Sequence, residues 1–280
     1  MVSEIFHSVN LATIDFGFFV SLYSLMNKIL TSTLIGKTDP SPVEIMHGDA
    51  ASDVVLVCEH AGRAIPKTLG SLGVGADVLN SHRGWDIGAA EVARTSADRL
   101  RAPLVIQHYS RLVIDCNRPP FTAQSIPCSS DSVDIPGNIK ACHSEKAERV
   151  REIFDPMNHA LATLLQTPRR AAFSIHSFTP ELAGKARPWH AGFLTRKSMN
   201  TAQCLIQSIA RRHPDLIMAI NEPYSIDSET DWFIPHYAEA LELPHCLIEI
   251  RNDQIDHTEG VEFWAELLSV SIAELMEQLP

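Results

Sequence analysis

Two histidines that each follow a short apolar run, and a glutamate inside a third run, are the residues of this chain best suited to act together chemically. The run Val54-Val-Leu-Val-Cys leads into Glu59-His60-Ala-Gly-Arg-Ala-Ile-Pro, and Phe173-Ser-Ile leads into His176-Ser-Phe-Thr-Pro. A neutral imidazole just past a strand is well placed as a metal ligand. The competing reading of either one is a histidine bonded to a neighbouring backbone group. Two such histidines at comparable positions can meet on one edge of a sheet. When two histidines bind zinc, a carboxylate is the usual third ligand and the fourth position stays open to water. Asp86, in Ser81-His-Arg-Gly-Trp-Asp-Ile-Gly, is the preferred donor, with Glu59 and His82 as rivals. Glu59 is disfavoured because successive side chains of a strand point to opposite faces. Asp86 also has a plainer reading, as a charge at a helix start.

Glu249 lies between apolar neighbours in Cys246-Leu-Ile-Glu-Ile-Arg-Asn-Asp. An unpaired carboxylate there is costly, so it needs either a partner such as Arg251 or a raised pKa, and the second is what a general base requires. The segment Tyr109-Ser-Arg111-Leu-Val-Ile-Asp-Cys-Asn117-Arg118-Pro brackets an apolar stretch with two arginines and an asparagine. Guanidinium forks suit carboxylates and developing oxyanions, although arginines at strand borders are commonly surface charges.

These groups need a scaffold that brings distant segments together. Short apolar runs at 54–58, 104–107, 112–115, 172–175, 216–220 and 246–250 read as buried strands. Apolar spacings of three and four predict helices over 89–100, 144–165, 201–212 and 259–279. The alternation predicts an α/β fold: a mostly parallel sheet between helices, with its binding site at the carboxyl ends of the strands. Long ordered loops are expected over 119–138 and 223–235, with Asn221-Glu-Pro-Tyr-Ser and His236 lining the pocket. Residues 1–42 read as an N-terminal extension ending in a Pro- and Gly-containing linker, and 43–280 as a single catalytic domain. The apolar run near 11–26 is broken by Asp15 and Gly17, too short for a membrane span, and lacks the basic start of a signal peptide. A cytoplasmic protein with no membrane partner is expected.

The 280 residues are 45% hydrophobic and 20% charged, which excludes a disordered or fibrous chain. A net charge of −11 makes nucleic acid a poor partner, and an anionic small molecule must be met by local positive charge. Six cysteines without a C-x-x-C pair read as reduced thiols. The thirteen histidines are in keeping with a metal site.

Six segments together resemble the N-formylglutamate amidohydrolase family: 59–66, Trp-Asp-Ile-Gly-Ala from Trp85, Ser-Arg-Leu-Val-Ile-Asp-Cys-Asn-Arg-Pro from Ser110, His-Ser-Phe-Thr-Pro from His176, 221–225, and Ile-Glu-Ile-Arg-Asn-Asp from Ile248. The resemblance runs from Val43 to the C-terminus, and the Ser110 segment is the most specific part. The family looks like a distant relative of the zinc carboxypeptidases, which implies a mixed sheet of about eight strands sandwiched between helices. It implies one Zn2+, or another divalent metal, held by His60 and His176. Glu249 then corresponds to the base that deprotonates the attacking water, Arg111 to the oxyanion stabiliser, and Asn117 with Arg118 to the pair that holds a substrate carboxylate. The carboxypeptidase pattern has a glutamate three residues after the first histidine. That position is Arg63 here, so the carboxylate ligand comes from elsewhere, with Asp86 the choice.

The reaction implied is hydrolysis of N-formyl-L-glutamate to formate and glutamate, a last step of histidine degradation. A second substrate carboxylate would need another cation, for which Arg187, Arg196 and Arg251 are candidates. The alternatives are a zinc peptidase or deacylase acting on another N-acyl amino acid or γ-linked peptide, and a non-catalytic binder of acidic metabolites. Oligomeric state does not follow from the residues.

Overall fold

The computed structural model describes residues 33–279. Residues 35–280 form one compact unit. The expected N-terminal extension therefore lies largely outside the described residues, as does its apolar run.

Seven strands form the main sheet: β1 (Val43–Met46), β2 (Val54–Cys58), β3 (Leu104–Gln107), β4 (Ala171–Phe178), β5 (Ala191–Leu194), β6 (Met218–Ile220) and β7 (His245–Arg251), in the order β1-β3-β2-β4-β7-β5-β6. The four central strands β3, β2, β4 and β7 run parallel. The antiparallel β1 borders β3, and the pair β5–β6 is reversed against β7. The expected mixed, mostly parallel sheet is thus present with seven strands, and two short ribbons lie outside it among the described residues.

Alternation along the strands divides the interior. Val54, Leu56, Cys58, Phe173, Ile175, Cys246, Ile248 and Ile250 point to one face, where they pack with helices α1 (Ala89–Leu100), α4 (Met199–Arg212) and α5 (Thr258–Gln278). The opposite face carries His176 and Glu249 and is covered partly by α2 (His143–Arg149), a π-helical turn (Val150–Phe154) and α3 (Asp155–Leu164). Loops complete that cover. Burying an aliphatic side chain contributes about 1.5–3 kcal/mol, so the all-apolar face stabilises the sheet while the second face is left for polar groups.

One expectation is corrected. Residues 112–115 form a turn and not a strand. The Ser110 hydroxyl accepts from the Leu112 N–H, the Ser110 carbonyl accepts from Val113 N–H, and Asp115 Oδ1 accepts from Asn117 N–H. These local bonds offer the backbone an alternative to a ladder, while Leu112, Val113 and Ile114 are still fully buried. Conversely, 191–194 is a strand despite its lack of β-branched residues. Gly192 is required because a Cβ there would lie 1.6 Å from the Glu222 carbonyl oxygen.

Candidate metal centre and active site

His60, two residues beyond the end of β2, and His176, near the carboxyl end of β4, come together with Asp86. One donor atom from each lies within 4.8 Å of the others, and all three residues are buried. The two imidazole rings are 4.7 Å apart and cross at 74°. Asp86 precedes α1, and its N–H donates to the His60 carbonyl at 2.9 Å, which brings the two segments together. The helix-start reading of Asp86 therefore gives way to a buried carboxylate between two imidazoles.

Hydrogen bonding fixes which nitrogens are available. His60 Nε2 lies 2.7 Å from Asp115 Oδ1. Asp115 is held well below the usual carboxylate range, because the charges of His60 and Arg111 overcome the effect of burial. An ionised carboxylate only accepts, so Nε2 donates to it, and in the neutral imidazole Nδ1 is then the lone-pair nitrogen. That Nδ1 faces Asp86 Oδ2 at 3.4 Å and has no hydrogen-bond partner among the described residues. In that neutral form two acceptors face each other in a dry site, an arrangement that a cation between them would relieve. His176 Nδ1 is 2.7 Å from the same Asp86 oxygen, and its Nε2 is 3.0 Å from Glu59 Oε2, off the line of a good hydrogen bond. Burial would lower the His176 pKa, but the Glu59 and Asp86 carboxylates hold it well above its ordinary value. Burial opposes the ionisation of Asp86, yet His60, His176 and Arg111 hold it below its usual range.

The rival donors have different surroundings. Glu59 does not point away from His60's neighbours: β2 ends at Cys58, so strand alternation no longer applies. Its carboxylate reaches His176 and accepts from the Ser174 hydroxyl at 2.6 Å. His82 is bonded to Asp131 at 2.7 Å and is not part of the buried trio.

Glu249 pairs in register with His176 across β4 and β7. Its Oε2 is buried without a hydrogen bond among the described residues, and Arg251 bonds Asp253 instead. Burial, with the Asp86 charge adding to it, pushes the Glu249 carboxyl up to about 7 against the pull of His176 and Arg111.

These groups open into a cavity of about 760 Å³. The turn at 110–118 supplies Arg111, Asp115, Asn117 and Arg118 to its wall. A regular strand would alternate them and send Arg118 to the other face. Arg111 donates to Asp86 Oδ1 at 3.1 Å and Asp115 Oδ2 at 3.2 Å. Arg118 is held by Asp231 at 2.6 Å and the Thr230 carbonyl at 3.1 Å. Asn117 Oδ1 accepts from the N–H groups of Trp232 and Phe233, which leaves its amide nitrogen as the donor for a bound molecule. The turn is anchored from behind by Arg149, which is fully buried and bonds the Val113 carbonyl and Asn138.

Asn221 and Tyr224 line the cavity as expected, but His236 does not: it stacks on Trp232 with ring centres 3.7 Å apart. None of Arg187, Arg196 and Arg251 is on the wall. The sequence reading missed Asp115 and the part played by Glu59. A carboxylate following Leu-Val-Ile was the available sign, since burying it demands a partner just as burying Glu249 does.

A family described as N-formylglutamate amidohydrolase matches residues 52–255, a span that contains every one of these site residues. No curated protein matches the chain. Among solved structures, the chain is similar to a gene product of Agrobacterium tumefaciens, with TM-score 0.80 and 32% identity over 87% of this chain and 99% of that one. Weaker likenesses are a bacteriophage poly-gamma-glutamate hydrolase (TM-score 0.43, 11% identity, 92% and 97% covered) and a metallo-carboxypeptidase from Burkholderia cenocepacia (TM-score 0.39, 11% identity, 92% and 68% covered). At that distance the likeness does not extend to residues or chemistry. With the family matched across most of its length and the site assembled within that span, the chain belongs to the N-formylglutamate amidohydrolase family and is a hydrolase of amide bonds.

Proposed function

We infer that the protein is a zinc-dependent amidohydrolase of N-acyl amino acids, with N-formyl-L-glutamate as substrate and formate and L-glutamate as products. The observation that carries this reading is the buried His60 Nδ1, 3.4 Å from an Asp86 oxygen that His176 shares and without a hydrogen-bond partner among the described residues. Two imidazoles and one carboxylate are the donor set of an open hydrolytic zinc site. The charge also fits: Glu59, Asp86 and Asp115 are held ionised by the histidine and arginine cations that face them, and a bound metal cation could take the place of the histidine protons. The carboxylates beside the two imidazoles would orient them as ligands.

When bound, the metal would polarise the scissile carbonyl and make water a usable nucleophile near neutral pH. Glu249 takes the proton from the attacking water, and its carboxyl near 7 lets it return that proton to the leaving nitrogen. Arg111, held in place by Asp86 and Asp115, offers its remaining N–H groups to the developing oxyanion. Asn117 and Arg118 hold the α-carboxylate and supply local positive charge in an acidic protein. The setting is the cytoplasm, where thiols stay reduced, and all six cysteines are free. Among the described residues no helix is long and apolar enough to cross a membrane.

Metal analysis of the purified chain tests the core of this reading. About one zinc per chain is expected, with loss of metal and of turnover in His176→Ala, whereas undiminished zinc and activity in that variant would sink the ligand set. A panel of N-formyl, N-acetyl and N-succinyl amino acids tests the substrate, and equal turnover of all three would overturn the formyl assignment.

A further inference from the structure

Arg187 is 9% exposed, and no carboxylate lies within ion-pair distance of it among the described residues. The other two candidate arginines, also outside the cavity wall, are neutralised: Arg196 makes two bonds of 3.2 Å to Glu239, and Arg251 one of 2.8 Å to Asp253. The Arg187 guanidinium instead lies over the ring of Tyr224, at 4.9 Å, and that of Phe178, at 5.8 Å. Its side chain makes one hydrogen bond, from Nη1 to the Tyr224 hydroxyl at 2.9 Å. Taking an unpaired cation out of water is costly, and contacts with aromatic faces recover only about 2 kcal/mol of that. The imbalance points to an anion that arrives from outside the chain.

The direction of the one hydrogen bond says where that anion sits. A guanidinium can only donate, so the Tyr224 oxygen must be the acceptor and its own O–H remains free to donate. That proton has no acceptor among the described residues, and Tyr224 lines the cavity together with Phe178, Glu249 and Arg118. Burial, with the Glu249 charge, keeps the phenol above its ordinary pKa, so the hydroxyl stays protonated near neutral pH.

We propose that Tyr224, with Arg187 behind it, is a second anion-recognition unit that takes the carboxylate at the far end of a dicarboxylic amino-acid side chain. This deepens the N-acyl amino acid reading and rests on it for the placement of the α-carboxylate at Arg118. Arg83 is the competing cation. It also lines the cavity, but Asp131 stands 3.9 Å from its Nε and supplies negative charge of its own.

Calorimetric binding of L-glutamate and L-glutamine to the full chain tests this without requiring turnover. The parent is expected to prefer L-glutamate by about ten- to hundredfold, the worth of a hydrogen bond to a charged group. Tyr224→Phe, which removes one oxygen, and Arg187→Met should each lose most of that preference, while Arg196→Gln keeps it. No preference in the parent overturns the proposal. A preference intact in either variant overturns it as well, as does a preference that collapses in Arg83→Gln instead. Selective binding without turnover of N-formyl-L-glutamate would overturn the reading of the reaction and leave the recognition unit standing.

Discussion

Glu249 occupies a position where chemistry and stability pull in opposite directions. Its folded carboxyl at about 7 lies above the ordinary value of 4.5, so between those pH values the folded chain holds a proton that the unfolded chain has released. Stability therefore falls as pH rises through that window, by up to about 3 kcal/mol. Glu249→Gln should lower kcat by about a hundredfold or more while raising Tm at pH 8, where the native carboxylate is charged. Thermal melts at pH 5 and pH 8 check this, with little difference between variant and parent expected at the lower pH. The same group predicts the acid limb of the reaction. Turnover should be lost as pH drops through about 7, because the base becomes protonated, and that limb should vanish in the residual activity of Glu249→Gln. Asp115 acts through His60. Asp115→Asn leaves an amide in place of the proton acceptor, and zinc affinity measured against a competing chelator should fall about ten- to hundredfold. Unchanged affinity would show that the Asp115 contact does not set the imidazole's orientation.

At the level of elements, the sequence was legible wherever a strand ended in a polar residue. His60, His176 and Glu249 could be read because apolar runs lead into them, and α1, α4 and α5 followed from apolar spacing, as did the stretch over 143–164, which a π-helical turn interrupts. What escaped was governed by single contacts. The run at 112–115 has strand composition, but Ser110 and Asp115 bond the local backbone and curl it. β5 runs through Ala-Gly-Phe-Leu without a β-branched residue, and its glycine is dictated by a carbonyl from residue 222 pressing against it, which no local pattern records. The alternation argument does not apply to Glu59, because the strand stops at Cys58, two residues before His60. Close approach also explains Gly62, where a Cβ would lie 1.9 Å from the His108 carbonyl oxygen, in the stretch where Ala64 pairs with the segment after β3. Gly62→Ala should destabilise the fold by more than about 3 kcal/mol, measured by urea unfolding, because backbone and not a flexible side chain must give way.

Across the whole molecule, the proposed metal ligands come from positions 60, 86 and 176, and the base from 249, so the centre exists only when the sheet is assembled. Ligand binding to the native state alone adds about 4 kcal/mol at a thousandfold excess over Kd. Chelation is therefore expected to lower Tm by several degrees, with recovery on adding zinc back. The pairing of β4 with β7 has a harsher implication. His176 and Glu249 are cross-strand neighbours in a parallel ladder, about 4.8 Å apart along the direction of its hydrogen bonds. A slip of one residue would turn Glu249 toward α1 and α5, into the hydrocarbon layer. Misfolded molecules should accordingly be dead and not sluggish, so that partly renatured batches differ in the fraction of competent molecules while each competent molecule works at full rate.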